Sequence, residues 1–262
     1  MIGIFDSGIG GLTVVKALME HLSGYDIIYF GDTARTPYGT KSSETVKKYA
    51  LENTDFLLSK GAKIIVIACN TASSVATESV TENFNIPIFE VITPAVELSI
   101  NTSHKLCIGI IGTRATVKSG IYEKKIREMK PKAKVYSKAC PLLVPLVEEG
   151  WLKKPETKMI VKKYLHPLKV RQIDTLILGC THYPLLKDII QKKIGKKVNI
   201  IDSSIAVASK VKAFLENHQN INNMLSKKGM YRFFVSDVTE QFEKTAKSML
   251  KIDIRLEHVS SS

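Results

Sequence analysis

Thr175-Leu-Ile-Leu-Gly-Cys-Thr-His-Tyr-Pro-Leu185 is the stretch that decides the fold. The apolar run Leu176 to Leu178 ends in Gly179, and the thiol of Cys180 follows at once. Thr181, His182 and Pro184 come next, with a helix-like pattern from Leu185. This order reads as a buried parallel strand with polar, reactive residues at its carboxyl end, where open α/β sheets hold their ligands. The same design occurs earlier as Ile64-Ile-Val-Ile-Ala-Cys-Asn-Thr71. Two strands therefore each deliver one cysteine to the same structural position.

Outward from these strands, the chain reads as two similar half-units. Ile2 to Phe5 is a strand, Asp6-Ser-Gly-Ile-Gly-Gly11 a tight Gly-rich turn, and Leu12 to Leu22 an amphipathic helix. Asp26 to Phe30 reads as strand and Gly31 to Gly39 as loop. Ser42 or Ser43 caps a helix reaching Lys60, which Gly61 ends. The first thiol strand follows, then a helix from Thr71 and a short strand within Ile86 to Val91. Thr93-Pro94 suggests a boundary, after which the order starts again with Leu106 to Ile111 and Gly112-Thr-Arg-Ala-Thr116. A strand at Lys134 to Ser137 precedes the second thiol strand. Asp6 to Cys69 spans 63 residues and Gly112 to Cys180 spans 68, as an internal repeat would. Ile200 to Ser204 reads as the second crossing between units. A helix from Ile205, a strand at Tyr231 to Val235 and a helix from Val238 then complete the first unit. The expected fold class is α/β: two similar doubly wound, mostly parallel-sheet domains facing each other across a cleft. The expected division is 1–93 plus 206–262 for one domain and 94–205 for the other.

Composition bounds the function. With 262 residues, 44% hydrophobic and 24% charged, the chain is long enough for two modest globular domains. No apolar run approaches the roughly 18 residues of a membrane span. Strand-like sequence starts at Ile2, so no signal peptide and a cytoplasmic location are expected. The four cysteines lie far apart and form no CxxC pair, which argues against a disulfide scaffold and a structural zinc site. Cys107 and Cys140 read as small buried hydrophobes, and Trp151 as packing. The net charge of +13 comes mainly from scattered lysines. Without an arginine cluster or interleaved aromatics, solvated helix faces explain them better than nucleic acid does. A basic surface also attracts a small anionic substrate.

Two thiols entering one cleft from opposite sides suit a specific chemistry. A thiolate removes a proton from a carbon centre, and the opposite thiol returns one to the other face. Stereochemistry inverts without cofactor or metal. A helix start after each cysteine is expected to favour a thiolate, and His182 stands two residues from Cys180 to pair with it. Ser7, Asn70, Thr71, Thr113 and Thr181 can bind carboxylates. The turns at Asp6-Ser7 and Tyr38-Gly39 offer backbone amides. Asp6 and His182 can serve a substrate ammonium or assist the thiols. An amino acid substrate fits this set.

Five segments then carry a resemblance: Asp-Ser-Gly-Ile-Gly-Gly (6–11), Gly-Asp-Thr-Ala-Arg-Thr-Pro-Tyr-Gly (31–39), Ala-Cys-Asn-Thr-Ala (68–72), Pro-Leu-Val-Glu (145–148) and Leu-Gly-Cys-Thr-His-Tyr-Pro-Leu (178–185). In order and spacing they resemble the bacterial glutamate racemases, over almost the whole chain. The resemblance implies cofactor-independent interconversion of L- and D-glutamate, supplying D-glutamate for peptidoglycan. It implies Cys69 and Cys180 as the catalytic pair, with Asp6, Glu148 and His182 as auxiliary groups. It implies substrate contacts at Ser7, Tyr38, Gly39, Asn70, Thr71, Thr181 and His182, and a homodimer. Without the resemblance, Glu148 and Glu149 read as a solvated pair and Tyr38-Gly39 as a turn. An aspartate racemase is the nearest alternative. A dinucleotide-dependent oxidoreductase is another, since Asp32 ends the second strand after a Gly-rich turn. But Gly8, Gly10 and Gly11 give GxGG rather than GxGxxG, and both cysteines would go unexplained.

Overall fold

The computed structural model describes residues 1–259. Its strands are β1 (Ile2–Asp6), β2 (Ile27–Gly31), β3 (Ile64–Ile67), β4 (Ile88–Glu90), β5 (Cys107–Gly112), β6 (Lys134–Ala139), β7 (Thr175–Gly179), β8 (Asn199–Asp202), β9 (Tyr231–Val235) and β10 (Leu256–His258). They form one sheet of order β10-β9-β2-β1-β3-β4 and another of order β6-β5-β7-β8. Every pairing among the described residues is parallel. The order β2-β1-β3-β4 recurs as β6-β5-β7-β8, so β3 and β7 are topological equivalents. In each unit the chain goes from the central strand to one side and then returns to the other. That reversal opens a crevice at the carboxyl ends of β1 and β3, and of β5 and β7.

The helices are α1 (Leu12–His21), α2 (Ser43–Ser59), α3 (Asn70–Asn83), α4 (Ile92–Thr102), α5 (Arg114–Ser119), α6 (Ile121–Met129), α7 (Leu143–Glu148), α8 (Pro155–Val170), α9 (Lys187–Ile194), α10 (Ser203–Asn217), α11 (Gln219–Met224) and α12 (Glu240–Leu250). Side chains alternate along each buried strand. Ile64 and Val66 face a core that also holds Ile108, Ile177, Ile201 and Val207, and so belongs to both sheets. Ile65 and Ile67 point the other way, with Leu57 and Ala76 of α2 and α3. Leu176 and Leu178 pack outward with Val161 and Ile190 of α8 and α9. Each such fully buried branched side chain contributes roughly 1.5–3 kcal/mol. The shared core fixes the two units relative to one another, and α10 lies against both α1 and α4.

Thr93-Pro94, expected at a boundary, lies in the first turn of α4, between β4 of one sheet and β5 of the other. Three readings change. Ile200 to Asp202 belongs to β8, the edge strand of the second sheet, and Asp202 then caps α10 by accepting from the Ser204 amide. After Cys180 the chain makes a 3-10 turn, Tyr183–Leu186, before α9 begins. Trp151 is not packing: it is 43% exposed. Ser42 caps α2 as expected, accepting from the Thr45 amide, and β9 spans Tyr231–Val235.

Candidate active site

Cys69 is the N-cap of α3, two residues past β3. Cys180 follows β7 directly. Both are buried, and both line one narrow cavity with Ser7, Pro37, Tyr38, Gly39, Asn70, Thr71, Thr113, Val144, Thr181 and His182. Equivalent strand ends of the two sheets thus bring their thiols to a common space. A larger cavity, lined by Thr13, Lys16, Leu185, Asp202 and Lys244 among others, holds neither thiol. Of the two, the smaller holds the thiol pair.

Each thiol has its own partners. Cys69 Sγ donates to Ser7 Oγ at 3.7 Å. Burial pushes its pKa up to about 12, and the neighbouring Asp6 and Cys180 push the same way. The Ala72 amide and Ser7 pull down but lose. Here the expected thiolate-stabilising helix start is outweighed, because a helix N-terminus offers only about 0.3–1 kcal/mol against full desolvation of a thiolate. Cys69 rests as a thiol.

Cys180 Sγ lies 3.8 Å from His182 Nδ1, and His182 Nε2 lies 3.1 Å from Glu148 Oε1. Burial alone would depress the imidazole pKa. Hydrogen bonds and charge from Cys180 and Glu148 override it and raise it to about 10. His182 is therefore an imidazolium at neutral pH, placing a positive charge beside the Cys180 sulfur.

Asp6 ends β1 and sits beneath the cavity. Its Oδ2 accepts from the Gly8 amide at 3.1 Å and the Gly11 amide at 2.8 Å, and Oδ1 accepts from Thr181 Oγ1 at 3.4 Å. Burial raises its pKa, while the His182 charge and the Gly11, Gly8 and Ser7 amides oppose the rise. The Gly-rich turn also packs directly on the second unit. A Cβ on Gly10 would stand 2.3 Å from Thr181 Oγ1 and 2.5 Å from His182 Nδ1. Thr13 Oγ1 reinforces this junction, 2.8 Å from the Gly10 carbonyl oxygen and 3.1 Å from that of Thr181.

The remaining residues close the cavity. Thr71 Oγ1 meets Thr113 Oγ1 at 3.0 Å across the two units. A Cβ on Gly39 would stand 2.8 Å from Thr113 Cβ, so glycine permits the 31–39 loop to approach. The Tyr38 hydroxyl is turned away from the ligand space: it bonds to Asp32 Oδ2 and accepts from Asn53 Nδ2 at 3.0 Å. What this loop can offer a ligand is backbone amide. Asp32 also holds Arg35 at 2.7 Å and accepts from Ser236 at 3.0 Å. Both its oxygens are engaged and the residue is fully buried, so no ribose can reach it. The Gly8 and Gly11 amides are likewise taken by Asp6, which removes the phosphate-binding amides a dinucleotide needs.

Every candidate site residue named from sequence lines this cavity or touches one that does. Sequence reasoning missed Thr13, Val144, Asn53 and Tyr122. The first three carry no motif signal; Tyr122 sits in an amphipathic helix and looks like core.

Comparison with known proteins shows the family. Residues 8–211 match the family described as Asp/Glu/Hydantoin racemase. The glutamate racemase of Persephonella marina is 49% identical, over 100% of this chain and 97% of that protein. A crystal structure of a glutamate racemase isoform from Bacillus anthracis superposes with a TM-score of 0.93 at 37% identity, covering 99% and 97% of the two chains. That of the Francisella tularensis glutamate racemase in complex with D-glutamate superposes with a TM-score of 0.90 at 41% identity, covering 99% and 97%.

Proposed function

The chain belongs to the Asp/Glu/hydantoin racemase family and, within it, with the glutamate racemases, and on that premise we propose that Cys69 and Cys180 interconvert L- and D-glutamate by a two-base mechanism without cofactor. The observation that carries this reading is the delivery of two buried thiols into one cavity by equivalent strands, one as a thiol and one beside an imidazolium.

With L-glutamate bound, the Cys180 thiolate takes the Cα proton. The electron pair left on Cα delocalises into the adjacent carboxylate. The Cys69 S–H then protonates Cα from the opposite face, leaving a Cys69 thiolate and a Cys180 thiol. D-glutamate runs the same steps backwards. His182, held by Glu148, supports charge on Cys180; Ser7 and Asp6 serve Cys69. The hydroxyls of Ser7, Thr71, Thr113 and Thr181, the Asn70 amide and the Tyr38-Gly39 backbone hold the substrate carboxylates.

The same reading divides the chain into units 1–93 plus 206–262 and 94–205, with the site between them. It includes a homodimer, a cytoplasmic location and the supply of D-glutamate for peptidoglycan. Among the described residues no helix is long and apolar enough to cross a membrane.

The test is a chiral assay over a panel of amino acids with chelator-treated protein. Glutamate should racemise in both directions, and aspartate, one methylene shorter, more slowly by about tenfold or more. Equal or faster turnover of aspartate would refute the substrate assignment. Loss of activity on chelation, restored by metal, would refute the cofactor-free chemistry.

A further inference from the structure

Asn70 opens α3 and lines the thiol cavity. Its side chain is held from one end only. The Tyr122 hydroxyl, on α6 of the other unit, donates to Asn70 Oδ1 at 2.6 Å. Asn70 Nδ2 is buried and has no partner among the described residues. A buried amide N–H without an acceptor is costly, and such a group survives where a ligand satisfies it. An amide can turn over, exchanging its donor and acceptor ends. Which end faces the cavity therefore depends on what holds the other.

Tyr122 decides that orientation. The ring is 2% exposed, and its pKa is raised well above the ordinary phenol value by burial and by the nearby charges of Glu90 and Cys180. Its oxygen therefore keeps its proton. The backbone is shaped for it: a Cβ on Gly179, the residue before Cys180, would stand 3.2 Å from the Tyr122 ring and 2.8 Å from the Ile111 carbonyl oxygen. An O–H aimed at Asn70 needs an acceptor there. The amide must then turn Oδ1 toward Tyr122 and Nδ2 toward the cavity.

We propose that Tyr122 is a positioning residue for substrate: it locks the Asn70 amide so that Nδ2 is presented as a donor to a glutamate carboxylate. The bond joins α3 of one unit to α6 of the other, beside the Thr71–Thr113 contact, so the donor is set only when the units are closed on each other. The proposal rests on the reading of this cavity as the glutamate site.

A double-mutant cycle tests it. Tyr122→Phe removes only the hydroxyl and should raise KM about tenfold for both enantiomers, with kcat changed by less than about threefold. Asn70→Ala should raise KM at least as much, and adding Tyr122→Phe to it should change KM no further. Asn70→Asp keeps the acceptor for Tyr122 but removes the donor. It should hold the melting temperature while raising KM, and Tyr122→Phe should lower its melting temperature without a further KM effect. Additive KM effects, an unchanged KM in Tyr122→Phe, or a loss in kcat alone would overturn the role of Tyr122. A wild-type chain unable to racemise glutamate would instead overturn the underlying reading, and this proposal with it.

Discussion

Cys69→Ala and Cys180→Ala should each lower glutamate racemisation by about 10⁴-fold, in both directions. In the two-base mechanism proposed, each direction needs one sulfur to remove a proton and the other to supply one, so neither variant keeps a productive half. The two effects should not add, because either deletion already disables the pair. Both sulfurs are buried, and truncation leaves only a small cavity, so the variants should remain folded. A thermal melt checks this, and chiral separation of the products checks the activity. Near-normal racemisation by either alanine variant would show that the second thiol is not a base.

His182→Asn carries the next largest effect. It removes the positive charge beside Cys180 and the link to Glu148, and kcat should fall about 100-fold. It should also change how stability depends on pH. The folded-state pKa of His182 lies at about 10, above its ordinary 6.5. A raised pKa means the folded state holds the proton more tightly. The contribution is thus complete below about pH 6.5 and is lost as pH rises toward about 10. Its size is on the order of 2 kcal/mol, since the Glu148 side chain is 33% exposed and water screens its share. Wild type should therefore lose stability from about pH 6.5 to pH 9, and His182→Asn should show a flatter curve over that window. Burial of the Cys69 thiol adds a loss at higher pH, from about 9 toward about 12, which both proteins should share. Parallel melting curves for the two proteins from pH 6 to 9 would show that His182 is not held as an imidazolium.

Much of this site was legible in the sequence because strand, thiol and turn lie together in it. An apolar run broken by Gly-Cys-Thr-His marks a buried strand and its reactive end in one stretch, and the matching Ala-Cys-Asn-Thr run betrays the repeat. The edge strands were harder. β8 follows Gly-Lys-Lys-Val and begins at exposed Asn199, so within the strand only Ile200 and Ile201 carry an apolar signal. β10 reads Leu-Glu-His, with no buried residue to mark it. Long-range partnerships were not legible at all. Tyr122 reads as one more apolar residue of an amphipathic helix, and only folding brings its hydroxyl to Asn70, 52 positions away. The protonation of Cys69 also had to await burial: the helix start at Asn70 argues for a thiolate, and full desolvation outweighs it.

The two-base account is tested most directly by running the reaction in deuterium oxide and reading Cα isotope content in each enantiomer at early times. The thiol on the receiving side has exchanged with solvent before turnover. Starting from L-glutamate, the first D-glutamate formed should carry deuterium at Cα while unreacted L-glutamate still carries protium, with the mirror result from D-glutamate. Substantial transfer of the original protium into product would mean that one base serves both faces, and would contradict the assignment of Cys69 and Cys180 to opposite sides of Cα.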